Sequence, residues 1–176
     1  MKQSKRRFAF KLYEYLLFTC SLLSASTAIL AAPLSSRADI ASALASATKV
    51  VMYSLEPGEA GARDRDGVCV GLCYYGWPVL GQIEISRRSR LIGQVTSWLK
   101  NPDPEEKALC FDPRHGLRVI TTEAAIDFVV CFECEGVEIY VNSKPAEVSP
   151  HPNNIQRDWD RLLKKAGVLL AEPYSD

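Results

Sequence analysis

The sequence contains none of the short motifs that identify several common enzyme classes. G-x-S-x-G, H-E-x-x-H, G-x-x-x-x-G-K and G-x-G-x-x-G are all missing. Their absence argues against a serine hydrolase with a nucleophile elbow, a zinc protease, a P-loop nucleotidase and a dinucleotide-binding enzyme. No internal repeat is visible either. These absences favour a protein that is not an enzyme, and no catalytic residue is assigned.

The chain also lacks net charge, with 21 basic and 21 acidic residues among 176. Residues 1–32 hold five basic residues and one acidic residue, which leaves 16 basic and 20 acidic residues, a net charge of −4, in the remainder. Binding to a phosphate backbone needs a basic face. The charge pattern therefore predicts that nucleic acid is not a partner.

A run without charge extends from Tyr15 to Leu34 behind an N-terminal basic cluster, as in an export signal or a membrane anchor. Serine and threonine dilute the run, which favours cleavage, whereas Pro33 directly after Ala32 and the absence of a clean A-x-A site in the run oppose it. The predicted location is periplasmic, secreted or membrane-anchored, with membrane contact through this segment if it is uncleaved. The predicted organisation is signal peptide or anchor 1–34, linker or short helix 35–48, a single domain 49–170 and a tail 171–176.

The remainder holds apolar, β-compatible runs typical of strands, one of which alternates over residues 79–85, and two segments with helical spacing. One helix would begin after Ser86 and extend to Leu99, and the other would begin at Asn153 or Asn154 and end at Gly167. Short connections between strands favour antiparallel pairing. The predicted fold is α+β, a mostly antiparallel sheet with two packed helices. The predicted strands cover residues 49–55, 68–75, 79–85, 117–120, 126–134 and 137–142.

Five of the six cysteines follow the N-terminal segment: Cys69, Cys73, Cys110, Cys131 and Cys134. In an oxidising compartment, five thiols predict two disulfides and one free thiol. The pairing stays open. One bond could join two of the last three cysteines, whereas Cys69 and Cys73 could pair only if the strand between them bends.

A metal site is a second use for the same side chains. Cys110, His115, Cys131 and Cys134 have the spacing C-x4-H followed by C-x2-C, which is compatible with zinc. Cys131 and Cys134 would converge only if their strand ends near Glu133. The cluster could also act as a thiol-redox centre, although acidic neighbours would raise a thiol pKa. Zinc is the alternative cofactor, and the favoured hypothesis has none.

The turn between Asp112 and Gly116 is the favoured binding site, because Pro113 stiffens a loop that would be held by strands. Its basic side chains could bind an anion, and a buried Arg114 would need Asp112 or Asp127 as its partner. The favoured hypothesis is a non-enzymatic module of the cell envelope. It would bind a protein or small ligand through Arg114, His115 and Arg118.

The box Cys-Phe-Asp-Pro-Arg-His-Gly at residues 110–116, followed by Cys-Phe-Glu-Cys at 131–134, resembles a group of small, often exported bacterial proteins. Residues 53–57 and 166–168 also resemble that group, so the similarity covers most of residues 49–170. The resemblance implies a bacterial source. It implies no activity, because the group has none assigned.

Overall fold

The computed structural model describes residues 34, 36–58, 69–100, 110–148, 150–152 and 155–172. The chain divides into two units, 1–32 and 33–176, and the described residues belong to the second. The predicted signal or anchor therefore lies almost wholly outside the described residues. Among the residues that are described, no helix has the length and apolar character that crossing a bilayer requires.

Three helices and seven strands make up the described part of the second unit. The helices are α1 (Arg37–Leu44), α2 (Arg90–Trp98) and α3 (Gln156–Lys165). The strands are β1 (Lys49–Leu55), β2 (Cys73–Tyr74), β3 (Trp77–Ile85), β4 (His115–Ile120), β5 (Ala125–Cys131), β6 (Gly136–Val141) and β7 (Lys144–Pro145).

The strands form one antiparallel sheet in the order β2-β3-β1-β4-β5-β6-β7. This arrangement confirms the predicted α+β class and the antiparallel pairing. Strand β5 is paired on both sides, as expected for the most apolar segment. The predicted strand over 68–75 is much shorter among the described residues, because only Cys73 and Tyr74 form a ladder with β3.

The helices pack on one face of the sheet and enclose the main core. Side chains alternate between faces along a strand, so Val50, Met52, Leu117, Val119, Phe128 and Val130 all point toward the helices. Trp98 of α2 stacks on Trp159 of α3, with ring centroids 5.6 Å apart. Two packed helices were predicted, and α1 is a third, in the segment that the sequence left open as a linker or short helix. It buries Ile40 and Leu44 in the same core.

The helix starts differ from the prediction in ways that capping explains. Helix α1 begins with a capping box, in which Ser36 accepts from the Asp39 amide and the Asp39 carboxylate accepts in return from the Ser36 amide. Helix α2 is capped by Ser89 and not by Ser86. Helix α3 begins after Ile155 without a side-chain cap, and the predicted Asn153 and Asn154 lie outside the described residues.

The opposite face of the sheet, called the aromatic face here, carries a second and smaller core. It contains Val51, Tyr53, Leu55, Tyr74 and Val129, with further aromatic side chains packed around them. The Tyr74 ring lies directly over Gly116, where an added Cβ would approach the ring to 2.7 Å. A glycine at this position is therefore what allows the β2 segment to fold down onto β4.

Candidate functional site

Alternation along β4 separates the three side chains of the predicted anion site. His115 and Leu117 face the helices, whereas Gly116 and Arg118 face the aromatic side. A strand of period two cannot present His115 and Arg118 on one surface. The structure therefore does not bring Arg114, His115 and Arg118 together into one site.

His115 is buried, with 1% of its surface exposed. Its Nε2 lies 2.9 Å from Oδ1 of Asp160 in α3. Its ring meets Phe132 and Trp159 edge to face, at centroid distances of 5.3 and 5.8 Å. These contacts fix the imidazole between the sheet and the helices.

Arg114 is also buried, and its guanidinium holds the segment that follows α3. Its Nη1 donates to the carbonyl of Ala171 at 3.3 Å and to that of Glu172. Its Nε lies 3.5 Å from Oε1 of Glu133. The predicted partners were Asp112 and Asp127, so the observed carboxylate is a different one. Residues 171 and 172, placed by the sequence in a tail, thus bind the domain through their main chain.

A small cavity of about 130 Å³ lies beside these two side chains. Its charged lining residues are Arg114, Glu133, Asp160 and Lys164, and His115 lines it beside them. The described residues offer the cavity both signs of charge, and several of these groups already bind one another. The contacts of Arg114 and His115 therefore fit a structural clamp that holds α3 and the segment after it better than they fit an open anion-binding site.

On the aromatic face, Arg118 pairs with Asp127, the residue opposite it on β5. Arg118 donates from Nε to Oδ1 at 2.6 Å and from Nη2 to Oδ2 at 3.1 Å. The hydroxyl of Tyr75 donates to Oδ2 at 2.7 Å, and that of Tyr74 lies 2.9 Å from Oδ1. Asp127 is fully buried, so this ring of donors keeps its charge solvated inside the protein.

The same contacts raise the pKa of both tyrosines. Burial, followed by the hydrogen bond to Asp127, raises the pKa of Tyr75 to about 12. Burial, with the nearby Asp127 charge, raises the pKa of Tyr74 well above its usual range. The sequence did not predict this network around Asp127. The available signal was an aspartate between Ile126 and Phe128 in an apolar strand, because such a charge must be paired.

The cysteines confirm the predicted count of two disulfides and one free thiol among the described residues. Cys69 bonds to Cys73 and Cys131 to Cys134, with Cα–Cα distances of 6.2 and 5.2 Å. The first pair has the bend that bonding required, since Gly71 between them has φ +91°. The second pair converges because β5 ends at Cys131 and the chain turns. Cys110 is free and exposed.

The zinc arrangement is not formed by these residues. Cys131 and Cys134 are bonded to each other, and His115 is engaged by Asp160. Within the described part of the chain, no group of three or more histidine, cysteine or acidic side chains is placed to hold a metal ion. In this form, the reactive groups of the cluster are a disulfide and a free thiol.

Three sulfur atoms meet at the end of β5, and we call them the three-cysteine centre: Cys110, Cys131 and Cys134. The Sγ of Cys110 lies 3.1 Å from the Sγ of Cys134. The amide of Asp112 lies 3.5 Å from the Cys134 sulfur, and the amide of Cys134 lies 3.0 Å from the Cys131 sulfur. A free thiol thus touches a disulfide whose two sulfurs both face backbone donors.

Comparisons with protein-family models, with curated proteins and with solved structures give no match for this chain. The resemblance based on the box at residues 110–116 therefore stays a prediction. The two disulfides are consistent with an oxidising, exported environment.

Proposed function

We propose that this protein is a thiol–disulfide exchange protein of an oxidising compartment outside the cytoplasm. The observation that carries the proposal is the 3.1 Å separation between the free Cys110 sulfur and the Cys134 sulfur of a disulfide. Exchange occurs when a thiolate attacks a disulfide sulfur. The attacking group and its target are already in contact here.

Burial assigns different roles to the three sulfurs. Cys131 and Cys134 are 1% and 8% exposed, so a thiol on another protein reaches neither of them easily. Cys110 is exposed and lies against Cys134. We therefore assign Cys110 as the residue that carries the disulfide from the protected pair to the surface.

The first step is an internal exchange. The Cys110 thiolate attacks the Cys134 sulfur, the Cys110–Cys134 bond forms, and the Cys131–Cys134 bond breaks. Cys131 leaves with the electron pair as a thiolate. The amide of Cys134, 3.0 Å from the Cys131 sulfur, is placed to stabilise that negative charge. No oxidant or reductant is consumed, because one disulfide replaces another.

The second stage passes the disulfide to a client dithiol. A client thiolate attacks the exposed Cys110 sulfur, forms a mixed disulfide and releases Cys134 as a thiolate. The second client thiolate then attacks the client sulfur of the mixed disulfide and releases Cys110. The client is oxidised by two electrons, and the protein is left with three thiols.

The test is a single-turnover reaction between the full chain and a charge-neutral synthetic peptide with two cysteines separated by two residues. All variants carry Cys20→Ser, because Cys20 would add a second free thiol. We expect one peptide disulfide per chain for the wild-type centre. Cys110→Ser should react at least about tenfold more slowly, because its disulfide is buried.

A paired Cys69→Ser and Cys73→Ser variant is the matched control, since it loses a disulfide that has no free described cysteine in contact. It should oxidise the peptide at the wild-type rate. If Cys110→Ser reacts as fast as the wild-type centre, or if no peptide disulfide forms, the proposed function is wrong.

A further inference from the structure

Cys110 lies in a segment without regular secondary structure, since residues 110–114 form neither helix nor strand. Even so, both neighbours of Phe111 contact the same sulfur. The Cys110 sulfur lies 3.1 Å from the Cys134 sulfur, and the Asp112 amide lies 3.5 Å from it. The rate of an internal exchange depends on how well the attacking group is held at its target. The contacts that hold this segment therefore bear directly on the reaction.

The ring of Phe111 holds the segment against the hairpin formed by β5 and β6. It lies over Gly136, where an added Cβ would come within 3.3 Å of the ring. Gly136 is the residue opposite Cys131 in the ladder between the two strands. The ring also meets Trp77 edge to face, with centroids 6.4 Å apart. The residue that follows Cys110 is thus packed on the residue opposite the disulfide.

The ring and the disulfide also lie on the same side of the sheet. Val129 of β5 belongs to the core of the aromatic face, and Phe111 packs against that core. Cys131 follows Val129 by two residues, so strand alternation turns its side chain toward the same face. The ring is therefore placed to hold Cys110 on the side from which the disulfide is reached.

We propose that Phe111 is the positioning residue of the internal exchange. Its ring, held against Gly136, keeps the Cys110 sulfur in contact with its target. This inference rests on the proposed function and adds the residue that aligns its first step. The covalent step is unchanged: the Cys110 thiolate bonds to Cys134, and Cys131 leaves with the electron pair. A group that is held in place reacts at a higher effective concentration than one on a loose segment.

The experiment measures how readily the Cys110–Cys134 bond forms in the full chain. The chain carries Cys20→Ser and Cys131→Ser, so that these two thiols pair without a competitor at the centre. It is equilibrated with reduced and oxidised glutathione in defined ratios, quenched with acid, alkylated and mapped by mass spectrometry. Phe111→Ala should lower the equilibrium constant for this bond by at least about tenfold, because the segment loses its contact with the hairpin.

Two controls separate positioning from a general loss of packing. The Cys69–Cys73 bond in the same molecules should form with an unchanged equilibrium constant. Tyr140→Ala removes another partly buried ring that packs on the same core, four positions from Gly136 along β6, or about 13 Å. Tyr140→Ala should leave the equilibrium constant of the bond at the three-cysteine centre unchanged.

Gly136→Ala tests the contact itself. Gly136 begins β6 and its φ is not positive, so alanine can adopt its backbone conformation. The added methyl group would press on the Phe111 ring. The variant should therefore lower the equilibrium constant by about threefold in the chain that keeps the ring, and should have no further effect in Phe111→Ala. Such non-additivity is expected of two residues in direct contact.

The outcomes separate the two proposals. If Phe111→Ala leaves the equilibrium constant unchanged, or lowers it equally for both bonds, the positioning role is wrong. The exchange function then stands if the wild-type centre oxidises the neutral peptide. If Gly136→Ala acts equally with and without the ring, the contact with Gly136 does not position Cys110. If the wild-type centre oxidises no peptide, the exchange function is wrong and the inference fails with it.

Discussion

Strand β5 carries two polar centres that differ in how their partners can change. Asp127, in the strand interior, receives hydrogen bonds on both carboxylate oxygens and is fully buried. Cys131, at the end of the strand, is also buried, but its disulfide partner touches a third, exposed sulfur. Asp127 cannot exchange its hydrogen-bond partners, because losing one of them would leave a buried charge uncompensated. The sulfur network can change partners and keep the same number of bonds.

The difference shows how burial can either fix a polar group or protect a reactive one. At Asp127, burial and donors to both carboxylate oxygens favour one arrangement. At the three-cysteine centre, burial shields the disulfide from solvent thiols while Cys110 connects it to the surface. Variants at the two centres should therefore affect different properties, stability at the first and exchange at the second.

Asp127→Ala is expected to have the largest effect on stability. It removes the acceptor that Arg118 and the Tyr75 hydroxyl share, while the Tyr74 hydroxyl keeps the Leu117 carbonyl at 3.0 Å. The free energy of unfolding should fall by about 3–5 kcal/mol in urea denaturation. Glu123→Ala, an exposed acidic position in the turn before β5, is the control and should change stability by less than about 0.5 kcal/mol. A loss below about 1 kcal/mol for Asp127→Ala would show that the network is not a structural centre.

Removing the Cys69–Cys73 disulfide should have an intermediate effect. The bond closes a loop with a sequence separation of four, for which loss of chain entropy predicts about 2 kcal/mol of stabilisation. Replacing both cysteines by serine should lower the urea midpoint accordingly and leave peptide oxidation intact. If oxidation is lost with this bond, the contrast between the two disulfides fails.

Tyr75→Phe should have the smallest effect near neutral pH, about 1–2 kcal/mol, through loss of one hydrogen bond to Asp127. The pKa of Tyr75 in the folded protein is raised to about 12, so folding favours the neutral phenol. Its contribution is complete below pH about 10, its usual pKa, and is lost as pH rises from about 10 through about 12. Unfolding curves between pH 9 and pH 12 should show a smaller alkaline loss in Tyr75→Phe. An equal loss in both proteins would contradict the assignment.

Much of the fold could be predicted because it depends on local patterns. Apolar, β-forming composition identified β1 and β5, alternation identified β3, and helical spacing identified α2 and α3. The cap of α2 was misplaced by three residues because Ser86 and Ser89 offer the same hydroxyl. Only the geometry after β3 decides which of them precedes the helix.

The candidate site was less predictable because it depends on long-range placement. Tyr74 and Tyr75 lie more than fifty positions before Asp127, and no local pattern connects them. The cysteines were selected from the sequence, but their convergence depends on β5 ending at Cys131. A strand longer by three residues would have placed Cys131 and Cys134 on opposite faces. The spacing also suited zinc, so residue types alone could not choose the chemistry.

Disulfide mapping of a Cys131→Ser variant tests the central claim most directly. The variant, in the Cys20→Ser background, is oxidised with oxidised dithiothreitol, and the remaining thiols are alkylated before proteolysis and mass spectrometry. We expect a Cys110–Cys134 bond beside an unchanged Cys69–Cys73 bond, whereas Cys134→Ser should leave Cys110 free. Alkylation of both Cys110 and Cys134 in Cys131→Ser, with Cys69–Cys73 intact, would contradict exchange through Cys110.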